Sequence, residues 1–130
     1  MSMAPTVAAN LRAAGDGAEA DALLRRTEPI ILGYLRNGPP NPYLLANAAF
    51  FRAADGKGDQ AMSLLARAVA VGWLPDAVVD IAQEPCFLPF VNRPDFQAVR
   101  QKILARIADE RRKITPILLA NSGLGSKLAA

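Results

Sequence analysis

Two short segments of this chain share one spacing: a glycine, an alanine five residues later and a leucine four residues after that. The two sets lie 41 residues apart and are Gly15, Ala20 and Leu24, and Gly56, Ala61 and Leu65. A glycine readily ends one helix, and a small residue in the next helix allows two backbones to approach closely. The spacing therefore predicts stacked helical hairpins, an architecture that usually binds a partner.

The composition predicts one globular domain. A chain of 130 residues, 52% of them hydrophobic, can bury a core without disulfides or metal ions. No apolar run reaches the roughly 18 residues that a membrane span needs, and the first residues do not resemble a signal peptide. The single cysteine, Cys86, cannot form an internal disulfide, which suits a cytoplasmic protein.

Few residues are available for chemistry. The sequence contains no histidine, the commonest general base and metal ligand, and one cysteine alone cannot form a zinc site. Asp76 and Asp80, four residues apart, are interpreted as a solvated helix face. The run Gly56–Asp59 lacks the spacing of a phosphate-binding loop. We therefore predict no catalytic residues, no metal site and no cofactor.

The spacing of apolar residues predicts an all-α chain, because no segment alternates with the period of two that marks a strand. The predicted helices lie around Val7–Leu11 and at 18–36, 42–54, 59–71 and 75–83, followed by an apolar turn at 87–91 and a last helix from Asn92. The domain is expected to span residues 4–121. A flexible tail is expected at 122–130, with 125–130 resembling vector-derived sequence.

Prolines complicate two of these helices. Pro29 cannot donate a backbone hydrogen bond, so either the second helix kinks there or Thr27 caps a new helix. Pro116 is expected to kink or fray the end of the last helix. Asp59 is a candidate cap for the helix that ends before Gly72.

The residues around both glycines resemble the tetratricopeptide repeat, a helical hairpin of roughly 34 residues. The matching residues are Leu45, Ala49, Ala61, Leu65 and Ala68 around Gly56, and Ala8, Leu11, Ala20 and Leu24 around Gly15. Three features depart from that pattern: the 41-residue spacing, Arg52 in place of an aromatic residue, and Thr27 in place of the last alanine. The resemblance implies a short α-solenoid of such hairpins.

The downstream segment resembles the closing part of bacterial tetratricopeptide arrays. The resemblance rests on Glu84-Pro85 and on Pro94-Asp95-Phe96, each in the expected order. It implies a protein–protein interaction scaffold at the C-terminal end of a larger bacterial regulator with a winged-helix, cyclase or kinase head. Phe87, Phe90 and Phe96 are expected to plug the open end of the last hairpin, and the long C-terminal helix to cap it.

By analogy with that family, the first helix of each hairpin lines the inner wall of a groove. Here the wall comprises Tyr43, Asn47, Phe50 and Ala54, which either bind a protein or peptide partner or contact the adjacent hairpin. Trp73 is a candidate anchor for a partner, since tryptophan is favoured at binding hot spots. Its alternative is packing under the following loop.

The last helix carries most of the basic residues: Arg100, Lys102, Arg106, Arg111, Arg112 and Lys113. Such a patch could bind nucleic acid or an anionic membrane surface. We favour instead a solvated outer face with partial pairing, such as Arg106 with Glu110. The apolar stripe of this helix would also allow a homo-oligomer. A small-molecule-binding accessory domain is a further alternative.

Overall fold

A computed structural model describes residues 3–37, 41–76 and 80–122. Within these ranges the chain is helical and contains no strand. The α-helices are α1 (Ala4–Ala13), α2 (Gly17–Asn37), α3 (Pro42–Ala54), α4 (Gly58–Ala70) and α5 (Pro94–Ser122). Two 3₁₀ helices, Ile81–Gln83 and Pro85–Phe90, lie between α4 and α5. The prediction of an all-α chain with a long C-terminal helix is confirmed.

The helices α1, α3 and α4 end in the same hydrogen-bonded turn, each with a glycine at positive φ. The φ values are +91° at Gly15, +77° at Gly56 and +109° at Gly72. At the first turn, the Gly15 N–H donates to the Arg12 carbonyl and the Asp16 N–H donates to the Leu11 carbonyl, at 3.1 and 2.8 Å. The other two glycines repeat this pair of bonds. Glycine adopts this backbone without the strain that a side chain would add.

Two hairpins form the body of the fold. The first hairpin is α1 with α2, and the second hairpin is α3 with α4. Both α1 and α2 pack against α3, while α5 packs against α4. The second 3₁₀ helix, Pro85–Phe90, contacts both α1 and α3 and is called the closing segment below.

Small residues occupy the places where the hairpin helices meet. Ala20, Ala49, Ala61 and Ala68 are fully buried, and larger residues such as Leu65 fill the space between them. A side chain larger than alanine at these positions would force the backbones apart, because protein interiors are close-packed.

Aromatic rings join the second hairpin to the chain that follows it. The Phe50 ring meets the edges of Trp73 and Phe87, with ring centroids 6.0 and 4.8 Å apart. Phe87 in turn lies 5.6 Å from Phe96 at the start of α5. Phe87 and Phe96 are fully buried and Phe90 is partly buried, in line with their predicted place at the end of the hairpin.

Proline does not end either long helix. Helix α2 continues through Pro29, and the Thr27 hydroxyl donates to the Leu23 carbonyl at 3.0 Å from inside that helix. The alternative in which Thr27 caps a new helix is therefore wrong. Helix α5 likewise continues through Pro116 to Ser122. The rest of the expected tail, 123–130, lies outside the described residues.

Two further local predictions are wrong. Lys57, not Asp59, precedes the first residue of α4, and the Asp59 carboxylate instead accepts a hydrogen bond from Arg93 at 2.7 Å. No helix begins at Pro75: residues 73–76 are irregular, 77–79 lie outside the described residues, and only Ile81–Gln83 is helical. The Asp80 carboxylate accepts from the Ala82 N–H and so starts that short 3₁₀ turn.

Candidate functional site

The structure divides the predicted inner wall of α3 into a buried and an exposed part. Phe50 and Ala54 are 4% and 5% exposed, whereas Tyr43 is 69% exposed. The closing segment lies on α3, and its Phe87 ring covers Phe50. Phe50 and Ala54 are therefore core residues, which favours the alternative that they pack within the fold.

Trp73 is not an anchor either. It is 2% exposed and packs edge-on against Phe50. Its backbone N–H donates to the Ala68 carbonyl at 2.9 Å, as part of the turn at Gly72. Because this turn directs the chain back over the end of the hairpin, the indole ring is buried in the core. The alternative interpretation, packing within the fold, is the correct one.

Asn47 lies beside a cleft between α2 and α3, and Tyr43 lies one helical turn before it. The cleft has a volume of about 150 Å³. It is lined by Thr27, Ile30, Ile31, Tyr34, Leu44 and Asn47. We call it the α2–α3 cleft. Its α2 residues recur at the spacing of one helix face, and Leu44 and Asn47 are separated by three residues on α3.

Large apolar side chains surround the α2–α3 cleft. Ile30 is 60% exposed and Tyr34 is 59% exposed, and both line the cleft. Exposed apolar residues that adjoin one another often mark an interaction site, whereas scattered ones do not. Neither Ile30 nor Tyr34 belongs to the site that the sequence predicts. The signal in the sequence was their i, i+4 spacing next to Ile31 and Leu35, which makes the apolar face of α2 wider than one hairpin contact needs.

The side-chain oxygen of Asn47 is buried and accepts no hydrogen bond from the part of the chain that the structure describes. Leaving a buried polar group unpaired costs about 1–3 kcal/mol. Such groups are rare in folded proteins, and one that lines a cleft can be satisfied by a donor on an occupant. The α2–α3 cleft therefore combines apolar walls with one unused acceptor.

A network of charges holds α2 beside α3 next to this cleft. Arg52 donates to Glu28 at 3.0 Å, Glu28 also accepts from Arg25 at 2.7 Å, and Arg25 pairs with Asp55. Burial, the largest single influence, would raise the pKa of Asp55, but the hydrogen bonds and charges of Arg25 and Lys57 together outweigh it and lower that pKa. Arg52, which replaces the aromatic residue of the repeat pattern, thus links the two hairpins by an ion pair.

The predicted basic patch is largely engaged within the fold. Arg100 donates to both carboxylate oxygens of Asp80, and Arg106 donates to the Val69 carbonyl at 3.0 Å. Lys113 pairs with Asp109 at 3.0 Å, and Arg112 approaches the same carboxylate at 3.4 Å. The predicted pair between Arg106 and Glu110 does not form. Lys102 forms no ion pair with the described residues, and Arg111 is exposed.

The described residues contain no group of three or more cysteine and acidic side chains placed to hold a metal ion. No helix among them is long and apolar enough to cross a membrane. Cys86 is buried, and this burial raises the pKa of its thiol to about 12. A thiol that stays protonated is a weak nucleophile and a weak metal ligand.

No protein-family model matches the chain, and no curated protein or solved structure shows significant similarity to it. The proposals below therefore depend on the surfaces just described.

Proposed function

We propose that this chain is a protein-interaction module that binds a partner through the α2–α3 cleft and performs no chemistry itself. A tetratricopeptide-like arrangement is part of the proposal. It is supported by the repeated glycine turns, by buried alanines such as Ala49 and Ala61 where helices meet, and by the contacts of α3 with both helices of the first hairpin. The mechanism is the presentation of a shaped surface.

One observation carries this proposal: Asn47, whose side-chain oxygen is buried and unpaired among the described residues, lines a cleft with exposed apolar residues. Fully burying an exposed apolar side chain contributes about 1.5–3 kcal/mol, so covering Ile30 and Tyr34 supplies a useful part of a binding energy. Tyrosine is also enriched among the residues that dominate interfaces. An occupant that covers Ile30 and Tyr34 would bury their exposed apolar surface. If it also donates an N–H to Asn47, it would pair the unpaired oxygen.

The size of the cleft favours a protein side chain over a free small molecule. Pockets that bind drug-sized ligands usually have volumes of about 300–1,000 Å³. The α2–α3 cleft, at about 150 Å³, suits one apolar side chain of a peptide or protein surface. The basic helix as a whole is a weaker basis for function, because Arg100 and Lys113 already pair with carboxylates within the chain.

The wider biological setting rests on sequence resemblance alone. Glu84-Pro85 and Pro94-Asp95-Phe96 support a place at the C-terminal end of a larger bacterial regulator, which would act in the cytoplasm as a scaffold. In that setting the partner would dock on the first hairpin while the closing segment and α5 seal the other end.

A peptide selection tests this function, because a random library samples many candidate partner sequences at once. A displayed library of random peptides is selected against the wild-type chain, and the affinities of enriched peptides are then measured for single variants. We expect Tyr34→Ala to weaken binding by about tenfold or more, because it removes an aromatic contact at the rim. Leu88→Ala, which truncates an exposed apolar residue outside the cleft, should leave affinity unchanged.

Asn47→Leu separates binding from folding in the same experiment. Replacing an unpaired buried amide by an apolar side chain should raise the free energy of unfolding by about 1 kcal/mol. The same change should weaken the binding of peptides that donate a hydrogen bond to the oxygen of Asn47. Failure to enrich any peptide, or peptides that bind all three variants as they bind the wild type, would contradict the proposed function.

A further inference from the structure

A second groove runs between α4 and α5 and is separate in its residues from the α2–α3 cleft. Its volume is about 410 Å³. Ala66, Val69 and Ala70 line it from α4, and Val99 and Ala105 line it from α5. We call it the α4–α5 groove. It is apolar, and its alanines leave room between the two helices.

The shape of this groove suits a third helix. Amphipathic helices bind by laying an apolar face into a hydrophobic groove, with contacts repeated every three or four residues. Ala66 and Ala70 lie one turn apart on α4, and an alanine side chain lets an incoming helix approach closely. Ala66, Ala70 and Ala105 are exposed and supply the apolar surface that such a helix would cover. Val69 and Val99 are buried.

The groove also carries two cations and no described carboxylate among its lining residues. Lys102 and Arg106 are four residues apart on α5, so their side chains lie on one face, about 5–6 Å apart at Cβ. The N–H bond from Arg106 to the Val69 carbonyl, at 3.0 Å, holds that guanidinium across from α4. Lys102 forms no ion pair with the described residues. The groove is therefore apolar and positively charged.

We propose that the α4–α5 groove binds an acidic amphipathic helix of a partner protein. The apolar face of that helix would cover the exposed alanines Ala66, Ala70 and Ala105. Two carboxylates one helical turn apart would meet Lys102 and Arg106. This site is independent of the α2–α3 cleft, so the chain can hold two partners at once. Charge complementarity decides the class of partner, since a neutral helix would leave Lys102 partly desolvated and unpaired.

A second copy of the chain fits the groove less well than an acidic helix. The exposed apolar residues near the end of α5, such as Ile114, Ile117 and Leu118, could supply an apolar face. They directly follow the segment 109–113, however, which has a net positive charge (Asp109, Glu110, Arg111, Arg112 and Lys113) and would bring that charge toward Lys102 and Arg106. Like charges in an interface oppose binding, so self-docking of α5 is disfavoured.

Designed peptides test the charge preference. An amidated helical peptide of about five turns carries a leucine and alanine stripe and one pair of glutamates at i, i+4. A matched peptide carries glutamines at those two positions. By calorimetry, the wild-type chain should bind the glutamate peptide about tenfold more tightly than the glutamine peptide. Lys102→Glu should abolish this preference, because the new carboxylate repels one glutamate of the peptide while Arg106 still attracts the other.

Two control variants keep the result specific. Arg26→Glu reverses an exposed cation on α2 outside the groove and should not alter peptide affinity. Tyr34→Ala, which should impair the α2–α3 cleft, should bind the acidic peptide normally. Because Lys102 is exposed, the Lys102→Glu variant should keep the helical circular dichroism spectrum of the wild type.

Three results would overturn the proposal. The first is equal affinity for the glutamate and glutamine peptides, or no binding of either. The second is a concentration-dependent dimer in sedimentation that Ala66→Trp removes, because a second copy would then fill the groove. The third is sedimentation with phosphatidylserine vesicles that depends on Lys102 in the absence of peptide binding, which would make a lipid surface the occupant.

Discussion

The two hairpins turn in the same way but are buried to very different degrees. Both turns combine a glycine at positive φ with the same pair of backbone hydrogen bonds, at Gly15 and at Gly56. Yet eight of the thirteen residues of α3 are buried, against two of the twenty-one residues of α2, namely Ala20 and Leu24. The turn and the burial of the helices therefore have separate causes.

The turns depend on local sequence, whereas burial depends on neighbours. Helix α3 packs against α1, α2, α4 and the closing segment, while α2 packs against α1 and α3. The C-terminal half of α2 therefore keeps Ile30 and Tyr34 exposed, and the α2–α3 cleft forms there. Helix α4 contributes most to the burial of α3, and the closing segment adds to it by covering Phe50, on the face that was predicted to bind a partner.

Removing the Phe87 ring, which packs on α3, should cause the largest loss of stability. Phe87→Ala deletes a fully buried aromatic side chain between Phe50 and Phe96, which should cost about 3–5 kcal/mol. Urea denaturation measures this loss. The neighbouring Leu88 is exposed, so Leu88→Ala should change stability by less than about 0.5 kcal/mol. Equal losses for the two variants would mean that the closing segment does not pack on α3.

Overfilling the contact within the second hairpin should have the next largest effect. Ala61→Leu places three extra carbon atoms at a fully buried position between α3 and α4, which should cost about 1–3 kcal/mol. Ala22→Leu makes the same change at an exposed position of α2 and should be nearly neutral. Thermal unfolding compares the stabilities of the two variants. If Ala61→Leu is as stable as the wild type, α3 and α4 do not make close backbone contact at Ala61.

The second glycine of each turn offers a matched pair with opposite expected signs. A Cβ at Gly17 would meet nothing within 4 Å, whereas a Cβ at Gly58 would lie 2.8 Å from the Phe90 ring and 2.5 Å from Arg93. Gly17→Ala should stabilise the chain by about 0.5 kcal/mol, because alanine is the better helix former. Gly58→Ala should destabilise it by about 1 kcal/mol. Chemical denaturation measures the change in the free energy of unfolding for each variant. Changes of the same sign for the two variants would contradict the packing of Phe90 against α4.

The smallest expected effect concerns pH. Hydrogen bonds from Arg100 and from the Ala82 N–H lower the pKa of Asp80 below its ordinary value of about 4. A lowered folded-state pKa stabilises the fold above the unfolded value, and this stabilisation is lost as pH falls through the folded value. Because this pair is partly exposed, its contribution should be about 0.5 kcal/mol.

Asp80→Asn measures that contribution directly. The variant should be slightly less stable than the wild type at pH 7, and the difference should shrink as pH falls below about 4. Glu19→Gln, at an exposed position in the first turn of α2, serves as the control. A difference that stays constant from pH 7 to pH 3 would show that the ionised form of Asp80 does not stabilise the fold.

Local features of the fold could be predicted from the sequence, and long-range ones could not. The turns at Gly15 and Gly56 and the bounds of α3 follow from glycine and from apolar spacing, both of which act within a few residues. The expected helix from Pro75 failed because the Asp80 carboxylate pairs with Arg100, twenty residues away, and starts a short 3₁₀ turn.

The predicted site failed for a similar reason. The sequence pattern places Tyr43 and Phe50 on the same face of α3. The Phe87 ring, 37 residues further along the chain, nevertheless packs on Phe50, which is buried, while Tyr43 stays exposed. Asn47 lines the α2–α3 cleft, whereas the analogy assigned it to the inner wall of a groove. The exposed half of α2 was missed because apolar spacing does not reveal how many neighbours a helix will have.

The central claim is that the chain covers the inner face of α3 with its own closing segment. Trp73, the only tryptophan, tests this claim directly because it packs on Phe50, the ring that Phe87 of the closing segment also contacts. The intrinsic fluorescence of the native chain should be blue-shifted and poorly quenched by acrylamide. Emission and quenching like those of free tryptophan in water would show that the face is open and would contradict this account.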